Sequence, residues 1–341
     1  MRKRCAAFIA VMFITWLSAC GGESTGNENG EQAVGNPEEN LEEFDVMLDW
    51  YPNAVHSFLY VAKEKGYFTE EGLNVNIQFP ANTTDPLNLA AAGKVDLGFY
   101  YQPDVISARA NEGIAVKSTG AIVRSPLNHI VFKDEKAFES PKDLEGKQVG
   151  YPGIALNEAL LRTIVKEDGG DPDKVEMIDV GFELGSALIA DKTDAVIGAY
   201  VNHEVPVLEH QGHEVDYFNP VDYGVPEYYE LTAVTSDETW KTQETEIKAF
   251  WRAAKKGFAF MEENPEEALQ ILLDNQDEAN FPLEKAVEQK SLEILLPKMT
   301  AEEDFSSQSL EVWEETAEWL KDTGMISEIP ENMSEMIADP S

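Results

Sequence analysis

Val46-Met47-Leu48-Asp49-Trp50-Tyr51-Pro52-Asn53-Ala54-Val55-His56-Ser57-Phe58-Leu59-Tyr60-Val61-Ala62-Lys63-Glu64-Lys65-Gly66 starts apolar, turns polar and aromatic, and then becomes amphipathic. Val46 to Leu48 predicts a short strand. Pro52 biases Tyr51 toward extended backbone and ends that strand. Asn53 is placed to cap a helix, its side-chain oxygen accepting a free N–H of the next turn. Phe58, Val61, Ala62 and Lys65 recur at helical spacing, so Ala54 to Lys65 predicts a helix with Gly66 as C-cap. Leu73 to Phe79 alternates as a second strand. Trp50 and Asn53 therefore fall where a strand ends and a helix begins, the edge at which open α/β sheets bind ligands.

Working outward, the same alternation continues. Asp85 to Ala92 predicts a helix, Val95 to Phe99 a buried strand, Gln102 to Asn111 a helix and Ala115 to Val123 a strand. Around Arg124 to His129 the chain crosses to a second lobe. Its strands are expected at Leu127 to Phe132, up to Tyr151, at Val175 to Val180 and at Val215 to Phe218. Helices are expected at Ala155 to Glu167 and Phe182 to Ala190. Gly153, just past a strand end, would let backbone N–H groups approach a ligand. Ala190 to Tyr200 echoes Ala92 to Tyr100: a helix end, a turn with Lys and Asp, an apolar strand with Gly, then an aromatic. Glu230 to Thr235 predicts a strand returning to the first lobe, and residues 237 to about 322 are helical, with Pro265 a suitable first helical residue. The expected fold is α/β: two hinged lobes with mixed sheets, residues 45–126 plus 234–330 and residues 127–233, joined by two crossover strands and closed by a helical return.

The chain has 341 residues, 43% of them apolar, and a formal net charge of -38. Length suffices for two lobes. The charge argues against nucleic acid as a partner, because phosphates would be repelled; it reads as a solvated surface. There is no P-loop, no G-x-S-x-G and no G-x-G-x-x-G. His203, His210 and His213 lie among Glu204, Glu209 and Glu214, but match no strong zinc pattern. His203 and His210 are seven apart, so they share a helix face, and Gly212 breaks the helix; they read as surface histidines, and no metal or cofactor is expected.

Trp50, Tyr51, Tyr100, Tyr101, Tyr151, Tyr200 and Tyr223 all fall at expected strand ends or in loops, where flat rings suit a flat heteroaromatic ligand. Glu204 follows Tyr200 by four residues, which puts both on one face of an expected helix.

At the start, Arg2, Lys3 and Arg4 precede the short apolar run Ala6 to Leu17. Leu17-Ser18-Ala19-Cys20-Gly21 resembles a bacterial lipobox. The resemblance implies a signal peptide over residues 1–19, thioether lipidation of Cys20 and attachment to the outer face of a cytoplasmic membrane. Residues 20–44, rich in Gly, Asn and Glu, read as a disordered tether. Cys5 and Cys20 are the two cysteines. With Cys20 lipidated, the mature chain has no other, which excludes a disulfide framework and cysteine catalysis.

Asp49-Trp50-Tyr51-Pro52-Asn53, His56, Lys65-Gly66-Tyr67-Phe68 and Glu71-Gly72-Leu73 together resemble the first βαβ unit of ABC-transporter substrate-binding proteins, in the family that carries thiamin pyrimidine precursors. The resemblance runs from about Phe44 to about Pro330. It implies a type II periplasmic-binding-protein fold, a monomer that docks on an ABC permease, and no enzymatic activity. The ligand implied is N-formyl-4-amino-5-aminomethyl-2-methylpyrimidine. In that family a Gly-x-Tyr-x-x-x-Glu arrangement, here Gly198, Tyr200 and Glu204, supplies a stacking ring and a carboxylate; a carboxylate suits an aminopyrimidine because it accepts from the exocyclic amine. By the same resemblance Trp50 stacks on the ring, Asn53 and His56 hydrogen-bond it from the opposite lobe, and Tyr100, Tyr101 and Tyr223 close the walls beside Gly153. Two alternatives stand beside this one. One is a riboflavin or sulfonate importer, for which Arg109 and Arg124 are the candidate anion ligands. The other is a pyrimidine synthase using pyridoxal phosphate, as in fungal relatives whose motif has a histidine where His56 lies. Those enzymes carry a cysteine-rich motif and no export signal, unlike this chain.

Overall fold

Strand signals and helix punctuation resolve into two five-stranded sheets. The computed structural model describes residues 41–340 apart from 280, 302 and 303. Cys20, the signal peptide and nearly all of the expected tether lie outside the described residues.

The first lobe opens with β1 (Glu42–Met47), α1 (Ser57–Glu64), α2 (Tyr67–Glu70), β2 (Leu73–Gln78), α3 (Asp85–Ala91), β3 (Leu97–Tyr100), α4 (Gln102–Glu112) and β4 (Val116–Val123). β1 pairs in parallel with β2 from Glu42↔Leu73 onward. Glu42 and Glu43 are therefore already in the sheet, and the tether ends before its expected limit at residue 44. The helix expected over 54–65 starts instead as a 3-10 turn, Ala54–His56, before α1 begins. Asn53 accepts from the Val55 N–H as expected, but His56 also reaches back, its Nδ1 accepting from the Asn53 N–H at 3.2 Å. That reciprocal cap tightens the first turn. Gly66 follows α1 with φ 76°, the left-handed conformation that stops a helix.

The second lobe holds β5 (Asn128–Lys133), β6 (Gln148–Tyr151), α5 (Ala155–Glu167), β7 (Glu176–Asp179), α6 (Leu184–Ile189), β8 (Ala195–Tyr200), α7 (Glu204–His210) and β9 (Val215–Phe218). The chain then returns through β10 (Leu231–Ser236) and ends in α8 (Asp237–Glu263), α9 (Pro265–Asp274), α10 (Lys285–Met299) and α11 (Leu310–Asp322). Strand order is β2-β1-β3-β10-β4 in one sheet and β7-β6-β8-β5-β9 in the other. Both are mixed: β10 runs antiparallel to β3 and β4, and β5 antiparallel to β8 and β9.

The sequence echo is a structural repeat. Asp96 and Asp194 each precede a central strand. Each carboxylate accepts from the backbone N–H of a residue on the neighbouring parallel strand, Asp45 at 2.6 Å and Gln148 at 3.1 Å. Each Asp N–H returns a bond to that residue's carbonyl. The repeat fixes the register of β3 on β1 and of β8 on β6. It brings Tyr100 and Tyr200 to the ends of β3 and β8.

The first lobe's core is aromatic. Phe250 of α8 stacks between Phe44 and Phe68, both at 5.4 Å, while Trp251 and Trp313 are fully buried. Burial of such side chains contributes roughly 1.5–3 kcal/mol each. Close packing of α8 on α1 requires Gly257, where a Cβ would lie 2.2 Å from the Phe58 carbonyl oxygen.

Candidate functional site

A narrow cavity lies between the lobes, where β1, β3, β6 and β8 end. Asp49, Trp50, Asn53 and Tyr101 line it from the first lobe. Gly198, Tyr200, His203 and Glu204 line it from the end of β8 and the start of α7, and Pro152, Ile154, Leu156 and Asn157 from the loop into α5. Asn128 and Glu230, at the roots of the two inter-lobe connections, complete the wall.

Asp49 is nearly fully buried directly after β1, and its Oδ1 lies 2.9 Å from His56 Nε2. Because His56 Nδ1 accepts from the Asn53 N–H, the proton sits on Nε2, which donates to Asp49. His56 is thus a neutral support for the Asp49 carboxylate. It is fully buried behind Asp49 and does not line the cavity. No other hydrogen bond uses Asp49 Oδ2 among the described residues.

Trp50 is held edge-on by Phe182 of the second lobe at 4.4 Å. Tyr200 ends β8. Its hydroxyl donates to Glu230 Oε1 at 3.1 Å, and its backbone N–H to Glu204 Oε2 at 2.7 Å. Tyr200 and Glu204 therefore do not share a helix face: α7 begins only at Glu204, whose side chain folds back over the turn. The shared face expected for His203 and His210 fails for the same reason, since His203 precedes α7. Gly198 has φ 96°, and a Cβ there would meet Pro152 Cδ at 2.7 Å, so only glycine lets β8 pass this close to the cavity rim.

Burial holds the Tyr101 and Tyr200 phenols well above the ordinary range, so both stay protonated as donors. Burial also raises Glu230, against four hydrogen bonds that pull it down. Asp104 on α4 is pushed up to about 7 by burial.

Of the residues expected in the site, Trp50, Asn53, Tyr101, Tyr200 and Glu204 line the cavity; His56, Tyr100, Gly153 and Tyr223 do not. Tyr100 is buried against the back of Tyr101, rings 4.6 Å apart. Gly153, with φ 75°, is hemmed by the Asp179 carboxylate, 2.9 Å from where its Cβ would be, and presents its neighbours Pro152 and Ile154 instead. Tyr223 ends a 3-10 turn and packs on Phe218. Asp49, Asn128, His203 and Glu230 were missed. Asp49 carried a signal, an acid at the end of a buried strand beside the tryptophan. So did Glu230, an acid opening the apolar run Leu231 to Val234.

Among the described residues no lysine, arginine or cysteine lines the cavity. Arg109 is forked onto Asp237, and Arg124 donates to the Ser307 carbonyl oxygen, so neither candidate anion ligand reaches it. No group of three or more His, Cys, Asp or Glu is placed to hold a metal among the described residues. What remains is a slot with aromatic rings and acceptor carboxylates, suited to a flat ligand bearing N–H donors.

Two mixed α/β sheets with such a slot between them define a two-lobed binding-protein fold. The Staphylococcus aureus ligand-binding component of an ABC-type import system shares it: TM-score 0.68 at 13% identity, over 87% of this chain and 97% of that one. The chain belongs to the NMT1/THI5-like family, whose profile matches residues 53–268. It is 55% identical over 284 residues to the formylaminopyrimidine-binding protein of Halalkalibacterium halodurans, covering 83% of this chain and 86% of that one. It is 26% identical over 251 residues to a 4-amino-5-hydroxymethyl-2-methylpyrimidine phosphate synthase of Legionella pneumophila, covering 72% and 78%.

Proposed function

We propose that this protein is the extracytoplasmic substrate-binding component of an ABC importer and captures N-formyl-4-amino-5-aminomethyl-2-methylpyrimidine. The observation that carries this reading is the pairing of Trp50 and Tyr200 with Glu204, whose Oε1 is used by no hydrogen bond among the described residues. The 55% identity to a formylaminopyrimidine-binding protein supports it. The ring stacks on Trp50 and Tyr200. Glu204 Oε1 accepts from the exocyclic amine, Asp49 Oδ2 takes a second donor, and Asn53 faces them from the first lobe. The lobes close because these partners come from both sides. A permease is the implied partner, and Cys20 the lipidated anchor.

A synthase reading lacks a lysine in the cavity to hold pyridoxal phosphate as an imine. A sulfonate reading lacks a cation, and the acids would repel the anion.

Glu204→Gln tests the proposal. It places an amide donor where the ligand also donates, leaving buried groups unpaired at about 1–3 kcal/mol. Titration calorimetry should show a roughly tenfold or greater loss of affinity for the formylaminopyrimidine. Unchanged affinity would remove Glu204 from the site.

A further inference from the structure

Glu230 lines the cavity, yet four protein donors already hold it. It is fully buried. Its Oε2 accepts from the backbone N–H groups of Leu127 and Asn128, at 2.7 and 3.0 Å, and from the Tyr228 hydroxyl at 3.3 Å. Its Oε1 accepts from the Tyr200 hydroxyl at 3.1 Å. Two backbone amides and two phenols thus satisfy one buried carboxylate that forms no ion pair among the described residues, the arrangement that lets a desolvated carboxylate persist.

Where these partners come from matters more than their number. Leu127 and Asn128 are the root of the connection into β5, and Glu230 is the residue before β10, the root of the return. One carboxylate therefore bolts the two inter-lobe connections together. Tyr200 belongs to the second lobe, so its ring is tied directly to the hinge. Tyr228, by contrast, does not line the cavity, and its ring lies parallel to that of Trp319, centroids 6.4 Å apart.

Building on the ligand reading above, we infer that Glu230 is a positioning residue that ties the Tyr200 ring to both inter-lobe connections, so that ring orientation and lobe closure are set together. Any change in hinge angle that displaces Leu127 or Asn128 must carry Glu230 with it or break these bonds, and either outcome alters the acceptor that orients Tyr200. A ligand that demands one ring orientation thereby selects one hinge angle.

The test compares Tyr200→Phe, Glu230→Gln, their combination, and Tyr228→Phe. Tyr200→Phe keeps the stacking ring and removes only its link to Glu230. Tyr228→Phe removes a similar bond from a residue that does not line the cavity. Affinity for the formylaminopyrimidine is read by calorimetry, and ligand-induced closure by the radius of gyration in small-angle scattering. Tyr200→Phe and Glu230→Gln should each weaken binding roughly five- to tenfold, the scale of one net hydrogen bond. The double variant should lie within about twofold of the weaker single one, because both changes cut one link. Tyr228→Phe should lower the thermal midpoint but leave affinity within about twofold. Multiplying effects in the double variant, or a Tyr228→Phe loss equal to that of Tyr200→Phe, would overturn the inference and leave Glu230 a plain structural acid. Absence of binding by the unaltered protein would instead sink the ligand reading. The inference would then rest on scattering alone: it holds if Tyr200→Phe and Glu230→Gln shift the ligand-free radius alike and Tyr228→Phe does not, and it fails otherwise.

Discussion

Asp104 is a carboxylate that the two lobes close over. It comes from α4, meets the first turn of α5, and its second oxygen is buried without a partner. Burial raises it from the ordinary 3.8 to about 7. A carboxyl raised on folding contributes its stability in full below its unfolded pKa, and that contribution is lost as pH rises toward the folded value. The folded protein therefore loses stability between about pH 4 and pH 7 on account of this group. Asp104→Asn removes the titration at nearly unchanged side-chain volume. The variant's thermal midpoint relative to the unaltered protein should rise from pH 4 to pH 7.5; a constant difference would show that Asp104 does not titrate there. Trp50 acts at the same scale. Trp50→Ala removes a stacking face, worth about 0.5–1.5 kcal/mol beyond the area it buries, so calorimetry should show about a tenfold loss of ligand affinity. A loss under twofold would take Trp50 out of the ligand contact.

Among elements, the segment before α6 is the part of the second lobe that grips the first. Phe182 lies 4.4 Å from Trp50 and 4.8 Å from Tyr51, and Tyr51 in turn stacks on Phe281 at 3.9 Å. Phe182 thus joins an aromatic cluster of the first lobe across the cleft. Phe182→Ala should therefore speed ligand dissociation several-fold while changing association little, as read by stopped-flow tryptophan fluorescence; an unchanged dissociation rate would deny the clasp. Much of this level was legible beforehand. The bounds of α5 and β9 were expected to the residue, and the Asp96 and Asp194 repeat was visible as Lys-x-Asp before an apolar run. What failed was local. Tyr200 and Glu204 are four apart, but strand persists through Tyr200, so helical spacing did not apply. His56 looked available because a polar residue near a strand end usually is; its two ring nitrogens were already spoken for by Asn53 and Asp49. Glu230 drew its meaning from Leu127, Asn128 and Tyr200, partners 30 or more residues away that no local pattern links to it.

The molecule as a whole is two lobes that meet around one slot. Bonds beyond the ligand site already span the cleft: Thr83 Oγ1 donates to the Pro152 carbonyl oxygen at 2.8 Å, Trp319 Nε1 to Thr163 Oγ1 at 3.1 Å, Asn202 Nδ2 to Ser291 Oγ at 3.0 Å, and Lys290 pairs with Glu209. Exposed pairs such as the last contribute little, about 0–1 kcal/mol, whereas the first three are buried or partly buried. Cys20→Ser should release the protein from membranes into the soluble fraction, and retention of the variant on the membrane would contradict the proposed anchor. The most direct test is titration calorimetry of the mature protein against N-formyl-4-amino-5-aminomethyl-2-methylpyrimidine, riboflavin, taurine and pyridoxal phosphate in turn. Saturable one-to-one binding of the formylaminopyrimidine alone is the predicted result; tight binding of any of the other three, with none of the pyrimidine, would contradict it.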